Sequence, residues 1–260
     1  MSLMIPLWLP LTLLSAFFLA TSDPLTKKAL PGHNEYLVTW LRLLPALPIF
    51  LLPLPFIAIP HLTAEFHLCT LTALPLEAVA LILYTKALKL SPLNLTLPLL
   101  SFTALLLLVV PFLILGERIS PRGAAGILMI AVGSYFLNAR PESGGFMAPL
   151  RALFKERGSQ GMLAVAVIYS ITSTLGKRAI EASSPLCFAA FYLPLLVLIM
   201  TPVALYKGRG ALSGFDQMAE PFQIIGNITG EIVVNMFQWV SHRDITPAVK
   251  VLVGLNPPAD

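Results

Sequence analysis

The sequence predicts an all-α polytopic membrane protein built from two inverted five-helix units, of which the second is incomplete. Three observations predict this fold class: the composition, a series of apolar runs of membrane-spanning length, and a repeated basic phrase. Apolar residues make up 57% of the 260 residues and charged residues only 12%, with a mean hydropathy of +0.82. Soluble domains carry about 45–50% apolar and about 25% charged residues, so most of this chain needs lipid as its solvent.

Seven apolar runs are long enough to cross the hydrocarbon core, which takes about 20 residues. They cover residues 3–22, 37–59, 66–85, 91–115, 121–138, 161–180 and 185–206. An eighth stretch, residues 221–240, has the right length but carries several amides and a carboxylate, so it can insert only if these face protein. The sequence therefore predicts seven or eight transmembrane helices.

A short basic phrase occurs twice, 150 positions apart. Leu25-Thr26-Lys27-Lys28-Ala29-Leu30 closes the first apolar run, and Leu175-Gly176-Lys177-Arg178-Ala179-Ile180 closes the sixth. Because an odd number of crossings separates the two copies, we expect them at opposite faces of the membrane. Inverted repeats of this kind are the architecture of many secondary transporters.

The repeat divides the chain into residues 1–139, a first five-helix unit, and residues 160–260, a partial second unit with a degenerate tail. A polar linker, residues 140–159, joins them. The repeat offset places the end of a complete second unit at roughly residue 288. We therefore expect the second unit to lack its last two helices.

Three motifs between Tyr84 and Ala139 together point to one family. They are Ala87-Leu88-Lys89-Leu90-Ser91-Pro92 between spans three and four, Leu115-Gly116-Glu117-Arg118-Ile119-Ser120 closing span four, and Gly126 with Gly133 in span five. With these motifs the chain resembles the EamA domain of the drug/metabolite transporter (DMT) superfamily. The likeness covers residues 3–139, and a second copy is recognisable over residues 160–206.

The resemblance implies ten spans in two inverted units around a cavity lined mainly by the first, third and fourth span of each unit. It also implies transport of small metabolites or drugs, often export, without ATP. We therefore predict a secondary transporter of the export type with proton or ion coupling, and not an enzyme. Two alternatives stay open: a non-transporting or partner-dependent truncated protein, and a membrane-embedded enzyme acting on lipid carriers.

Glu77 is the leading candidate for a residue that binds substrate or ion. It lies near the middle of the third span, where a carboxylate costs about 2.5–3.5 kcal/mol to insert and should face a cavity or a cation. It is either a protonatable group on the transport path or a structural carboxylate bonded to a neighbouring helix. Glu231 is a second candidate, because it lies 16 residues before Pro247 as Glu77 lies 15 before Pro92.

Three further binding candidates are a pair of lysines and a proline. Lys27 and Lys177 end the first span of each unit, where each either snorkels to the headgroups or attracts anionic substrates. Pro98 lies inside span four, where it either acts as a hinge or merely bends the helix. Arg42, six residues into span two, either snorkels or pairs with Glu35.

Five residues are expected to be structural. They are Pro92 in the turn before span four, Gly116 and Glu117 at its end, and Gly126 and Gly133 in span five. Small residues such as the last two let helices approach closely in lipid, here within the unit or between subunits.

No cofactor and no metal site are expected. The expected partners are the lipid bilayer, a small-molecule substrate and, as an open alternative, a second copy in a homodimer. Nucleic acid is not expected, because the basic residues lie in short clusters between apolar runs, as loop charges do. The expected location is integral to a bacterial inner membrane, with the orientation, the substrate and the coupling ion left open.

Overall fold

The structure, a computed structural model, describes residues 8–51, 54–56, 60–116, 120–138 and 156–208, and within these ranges it is helical with no strand. The helices are α1 (Trp8–Ala29), α2 (Glu35–Leu43), α3 (Leu47–Leu51), α4 (Ala64–Leu90), α5 (Leu93–Thr96), α6 (Ser101–Leu106), α7 (Val110–Leu115), α8 (Pro121–Asn138), α9 (Arg157–Glu181) and α10 (Pro185–Gly208). Short 3-10 turns lie at Leu44–Ala46, Leu54–Phe56 and Leu97–Leu100. The all-α prediction is confirmed.

Four stretches of the described chain are long and apolar enough to cross a membrane. They are Ala64–Leu90, Leu97–Leu115, Arg157–Glu181 and Pro185–Gly208, which correspond to predicted spans three, four, six and seven. In each of the four, at most 39% of the most apolar 18-residue segment is buried inside the protein. The remaining apolar surface is what a lipid-facing helix presents.

Two predicted spans are interrupted by proline. Span two divides into α2 and α3 at a 3-10 turn, Leu44–Ala46, that contains Pro45. Span four divides into α5, a 3-10 turn, α6 and α7. Pro98 lies at the start of that second turn, and Pro111 lies at the start of α7. Proline has no N–H to donate, so it fits the first turn of a helical segment better than its interior. These spans are therefore broken rather than smoothly curved.

α1 continues through Asp23 and Pro24 to Ala29, past the end predicted at residue 22. Pro24 is exposed, so the backbone group that it leaves unbonded faces away from the protein core. Asp23 is buried against other helices, as described below. The polar residues that suggested a loop are thus the last turns of the first helix.

α4 is the central helix and contacts α1, α2, α9 and α10. α9 runs antiparallel to it: Gly158, at the start of α9, lies against Ser91 at the end of α4. At the other end of α9, Arg178 Nε lies 2.6 Å from Glu65 Oε1 in the first turn of α4.

The two basic phrases lie at opposite ends of α4. Lys27 Nζ donates a hydrogen bond of 2.7 Å to the carbonyl oxygen of Leu88 in the last turn of α4, whereas Arg178 pairs with Glu65 in its first turn. Residues 65 and 88 are about 35 Å apart along a helix with a rise of 1.5 Å per residue. The predicted inversion is therefore confirmed.

Candidate functional site

One face of α4 points into the helix bundle along its whole length, and we call it the inner face. Its members recur every three or four residues and are Phe66, Thr70, Ala73, Glu77, Ala80, Tyr84, Ala87 and the capping Ser91. All of them are buried except Glu77, which keeps partial exposure. Glu77 is therefore the one member of this row that stays partly accessible.

Glu77 lies 13 residues from either end of α4, which is about 20 Å along the helix. This places it at the middle of the membrane-spanning segment. Its charge acts on the hydroxyl group of Tyr192 on α10, and the ring of Tyr192 stacks on Phe188 with the centroids 4.7 Å apart. Glu77 therefore faces the side of the bundle formed by α10, in aromatic surroundings.

A second group of charged side chains lies between α1, α2 and α4 and was not foreseen from the sequence. Arg42 Nη2 lies 3.7 Å from Asp23 Oδ1, and the two side chains are only 6% and 4% exposed. The hydroxyl of Tyr84 donates a hydrogen bond to Asp23, and the ring of Tyr84 lies 5.7 Å from Arg42 Cζ. We call these three residues the Asp23 cluster.

The Asp23 cluster shows that both predictions for Arg42, snorkelling and pairing with Glu35, are wrong. Arg42 is buried, so it does not snorkel to the headgroups. The predicted partner, Glu35, is held by two lysines of α4: Lys89 Nζ lies 3.0 Å from Glu35 Oε2, and Lys86 Nζ lies 3.9 Å from Glu35 Oε1. The signal that could have found Asp23 is charge balance, because an arginine inside an apolar run needs an acid inside the bundle.

Tyr169 of α9 links the two groups. It interacts electrostatically with Tyr84 of the Asp23 cluster and with Tyr192 beside Glu77. Tyr84 and Glu77 are seven residues apart on the inner face, which is about 10 Å. The charge state of Tyr169 therefore influences a tyrosine beside each of the two carboxylates.

The other predicted binding residues have structural contacts in this conformation. Lys27 Nζ donates hydrogen bonds to the carbonyl oxygens of Leu88 and Ser91, where a cation is favourable because the helix dipole is negative at its C-terminus. Lys177 Nζ lies 4.0 Å from Glu181 Oε1. A substrate-binding role for Lys27 and Lys177 stays a prediction.

The carbonyl oxygen of Pro98 accepts a hydrogen bond of 2.6 Å from Ser101 Oγ. The hinge role of Pro98 stays a prediction. Glu231 and Glu117 lie outside the described residues.

The structural motif residues differ in their surroundings. Pro92 is the N-cap of α5, and Gly116 ends α7 with φ +71°, a left-handed conformation that suits glycine. A Cβ added at Gly126 or Gly133 would meet no atom within 4 Å. These two glycines therefore pack against nothing in the described part of the chain, and contact between subunits stays a prediction.

The Asp23 cluster lies one helical turn inside an end of the bundle that is rich in cations, which we call the basic end. Its charged side chains in the described ranges are Lys27, Lys28, Lys86, Lys89, Arg157 and Lys207, with Glu35 and Glu156. The C-terminus of α10 also lies at the basic end, where Asn34 Nδ2 donates a hydrogen bond of 2.7 Å to the carbonyl oxygen of Lys207. At the opposite end, Lys177 and Arg178 pair with Glu65 and Glu181.

At the basic end, the fold favours the charged form of Glu35. Burial alone would raise the pKa of Glu35. The hydrogen bond to its own backbone, the hydrogen bond from Lys89 and the charges of Lys89 and Lys86 outweigh burial and hold that pKa below its ordinary value. The carboxylate is therefore fully charged near neutral pH.

The site contains no group of three or more His, Cys, Asp or Glu side chains that could hold a metal ion, within the ranges that the structure describes. What the bundle offers instead is two carboxylates at different depths, with a tyrosine beside each: Tyr84 beside Asp23 and Tyr192 beside Glu77. Such an arrangement can bind and release protons and small polar solutes inside a membrane.

The comparison with protein families agrees with this geometry. The model of the EamA-like transporter family matches residues 6–139, which is more than half of the chain. Comparisons with curated proteins and with solved structures give no match. The family consists of membrane transporters of the DMT superfamily rather than enzymes. The chain is thus an integral membrane protein that belongs to the EamA-like transporter family.

Proposed function

We propose that this transporter is a proton-coupled exporter of small metabolites or drugs, with Glu77 as the coupling carboxylate. The observation that carries the proposal is the partial exposure of Glu77 in the otherwise buried inner face of α4. Substrate and coupling-ion sites of secondary transporters lie near the bilayer midplane, where each side of the membrane can reach them in turn.

The cost of a charge at the depth of the membrane midplane supports a proton as the coupling ion. A carboxylate at the midplane costs about 2.5–3.5 kcal/mol to insert, and binding a proton removes the charge. A cationic substrate group at Glu77 would compensate the same charge. A single carboxylate that holds either a proton or a substrate, but not both, exchanges one for the other across the membrane without ATP.

The first experiment identifies the substrate by comparing small molecules in the medium of cells that express different variants. We expect the wild type to raise the external level of at least one compound, and Glu77→Gln to abolish that rise because the amide cannot exchange a proton. Glu65→Gln is the matched control, since Glu65 lies on the same helix but in its exposed first turn. Immunoblots of the membrane fraction check that all three proteins accumulate equally.

The second experiment measures flux of that compound in proteoliposomes with an imposed pH gradient. Wild type and Glu65→Gln should transport and should dissipate the gradient, whereas Glu77→Gln should do neither. Normal transport by Glu77→Gln contradicts the coupling role of Glu77, and a wild type that moves no compound contradicts export. Location in a bacterial inner membrane belongs to the same proposal and is tested by separating inner and outer membranes.

A further inference from the structure

The basic end of the bundle keeps more positive charge than its own acids balance. It carries six basic and two acidic side chains among the described residues. Each of the two carboxylates interacts with lysines: Glu35 with Lys86 and Lys89, and Glu156 with Lys27. No described acid is left for the other cations of this end, so they can attract a negatively charged group from outside the protein.

Two of these other cations, Lys28 of α1 and Arg157 of α9, lie at one corner of the bundle. Both are exposed, and neither forms an ion pair within the described ranges. Lys27, the neighbour of Lys28, donates a hydrogen bond to the carbonyl oxygen of Ser91, the C-cap of α4. Gly158, the neighbour of Arg157, packs against the same serine. We call Lys28 and Arg157 the corner pair.

The corner pair lies where the exposed apolar surface of the bundle ends. Leu90, which precedes Ser91 in α4, is 63% exposed. Tyr206, in the last turns of α10, is 68% exposed, and its ring lies 5.8 Å from Lys207 Nζ. Aromatic and basic side chains at the end of an apolar helix are typical of the membrane–water boundary. We therefore expect the corner pair at the depth of the lipid headgroups.

The opposite end of the bundle has a smaller excess of positive charge. Its described side chains include three basic and two acidic ones, and Arg178 pairs with Glu65 at 2.6 Å. Arg122 belongs to this end, because span four leads away from the basic end and the short link 116–120 joins it to α8. Arg122 is exposed and forms no ion pair with other described residues, so it matches the corner pair in every respect but its position.

We propose that the corner pair binds the headgroup of an anionic phospholipid. A lipid phosphate without a cationic group of its own is attracted by both side chains, whereas the ammonium of a zwitterionic lipid is repelled by them. The exposed Leu90 beside this corner offers a contact for an acyl chain, which a free anion cannot use. The proposal therefore assigns lipid, and not a dissolved phosphate compound, as the ligand.

The test uses the purified full chain in a neutral detergent. It is titrated with phosphatidylglycerol or with phosphatidylcholine of the same acyl chains, and thermal unfolding is followed by helical circular dichroism. We expect phosphatidylglycerol to raise the unfolding temperature at a lower mole fraction than phosphatidylcholine. The difference should shrink when the salt concentration rises, because salt screens exposed charges.

Substitutions then assign the effect to the corner pair. Lys28→Gln and Arg157→Gln should each raise the mole fraction of phosphatidylglycerol at half effect about fivefold, and the double variant about 25-fold. Arg122→Gln is the matched control and should change it less than about twofold. Because all three side chains are exposed, the unfolding temperature in phosphatidylcholine should stay at the wild-type value, which shows that the variants fold.

An equal response to the two lipids overturns the proposal, and so does a double variant that responds like the wild type. A loss in Arg122→Gln as large as that in the double variant also overturns it, since any surface cation would then serve. If glycerol phosphate at the same concentration reproduces the effect, the ligand is a dissolved phosphate and the assignment to lipid fails. Glu77→Gln should bind phosphatidylglycerol like the wild type, so the lipid site and the coupling role of Glu77 stand or fall separately.

Discussion

Alanine at Gly158 should destabilise the protein, whereas alanine at Gly161 should not. Both glycines lie where the first turns of α9 cross the end of α4. A Cβ at Gly158 would lie 2.1 Å from Ser91 Oγ and 2.6 Å from Ser91 Cβ, which no real structure tolerates without movement. At Gly161 the nearest atom would be Ala87 Cβ at 3.6 Å, an ordinary van der Waals contact.

The magnitude follows from two opposing effects. Overpacking a close contact costs about 1–3 kcal/mol. Replacing glycine by alanine in a helix gains about 0.5–1 kcal/mol, since alanine has less conformational freedom to lose. The free energy of unfolding should therefore fall by roughly 0.5–2 kcal/mol for Gly158→Ala and stay equal or rise by up to about 1 kcal/mol for Gly161→Ala.

The assay is reversible unfolding in mixed micelles with increasing dodecyl sulfate, followed by helical circular dichroism. A rescue sharpens it: Ser91→Gly removes both of the clashing side-chain atoms, so combined with Gly158→Ala it should restore most of the lost stability. If the two single alanine variants are equally stable, α9 does not cross the end of α4 as described, and the antiparallel packing of α4 and α9 is refuted.

Three other predictions use the same unfolding assay. Lys27→Met should cost about 1 kcal/mol more than Lys28→Met, because Lys27 bonds the last carbonyls of α4 whereas Lys28 is exposed. The fold lowers the pKa of Glu35, so its charged form stabilises the folded protein. That stabilisation is complete above the unfolded pKa, about 4.3, and is lost as the pH falls through the lower folded pKa. Glu35→Gln should therefore make the free energy of unfolding fall less steeply with pH below about pH 4.3. Gly116→Ala should cost about 1–2 kcal/mol because φ is +71°, whereas Gly126→Ala in open space should cost nothing.

The helical membrane fold and the inversion could be predicted because they depend on local features of the chain. Run length alone identifies a membrane span, and the repeated basic phrase marks the same place in each unit. The breaks in spans two and four could not be predicted from run length, because a 20-residue window averages over the prolines. Whether a proline bends a helix or divides it depends on neighbouring helices that supply or withhold hydrogen-bond partners.

The site was predictable to a smaller degree. Glu77 stood out since a carboxylate in an apolar run is costly, and the structure places it on the inner face of α4. Asp23 did not stand out, because it follows the apolar run and resembles the start of a loop. Its burial depends on Arg42 and Tyr84, which are brought to it by long-range packing. The contact of Lys27 with the end of α4 is likewise a tertiary feature that no local pattern reveals.

The inversion of the two units is the central claim, and it is tested most directly by labelling equivalent positions of the repeat. Lys28→Cys and Arg178→Cys would be made separately in a chain whose two cysteines, Cys69 and Cys187, are replaced by alanine. A thiol reagent that cannot cross the membrane is then applied to intact cells and to inside-out vesicles. The structure predicts that one position reacts only in cells and the other only in vesicles. Reaction of both positions from the same side would contradict the inverted architecture.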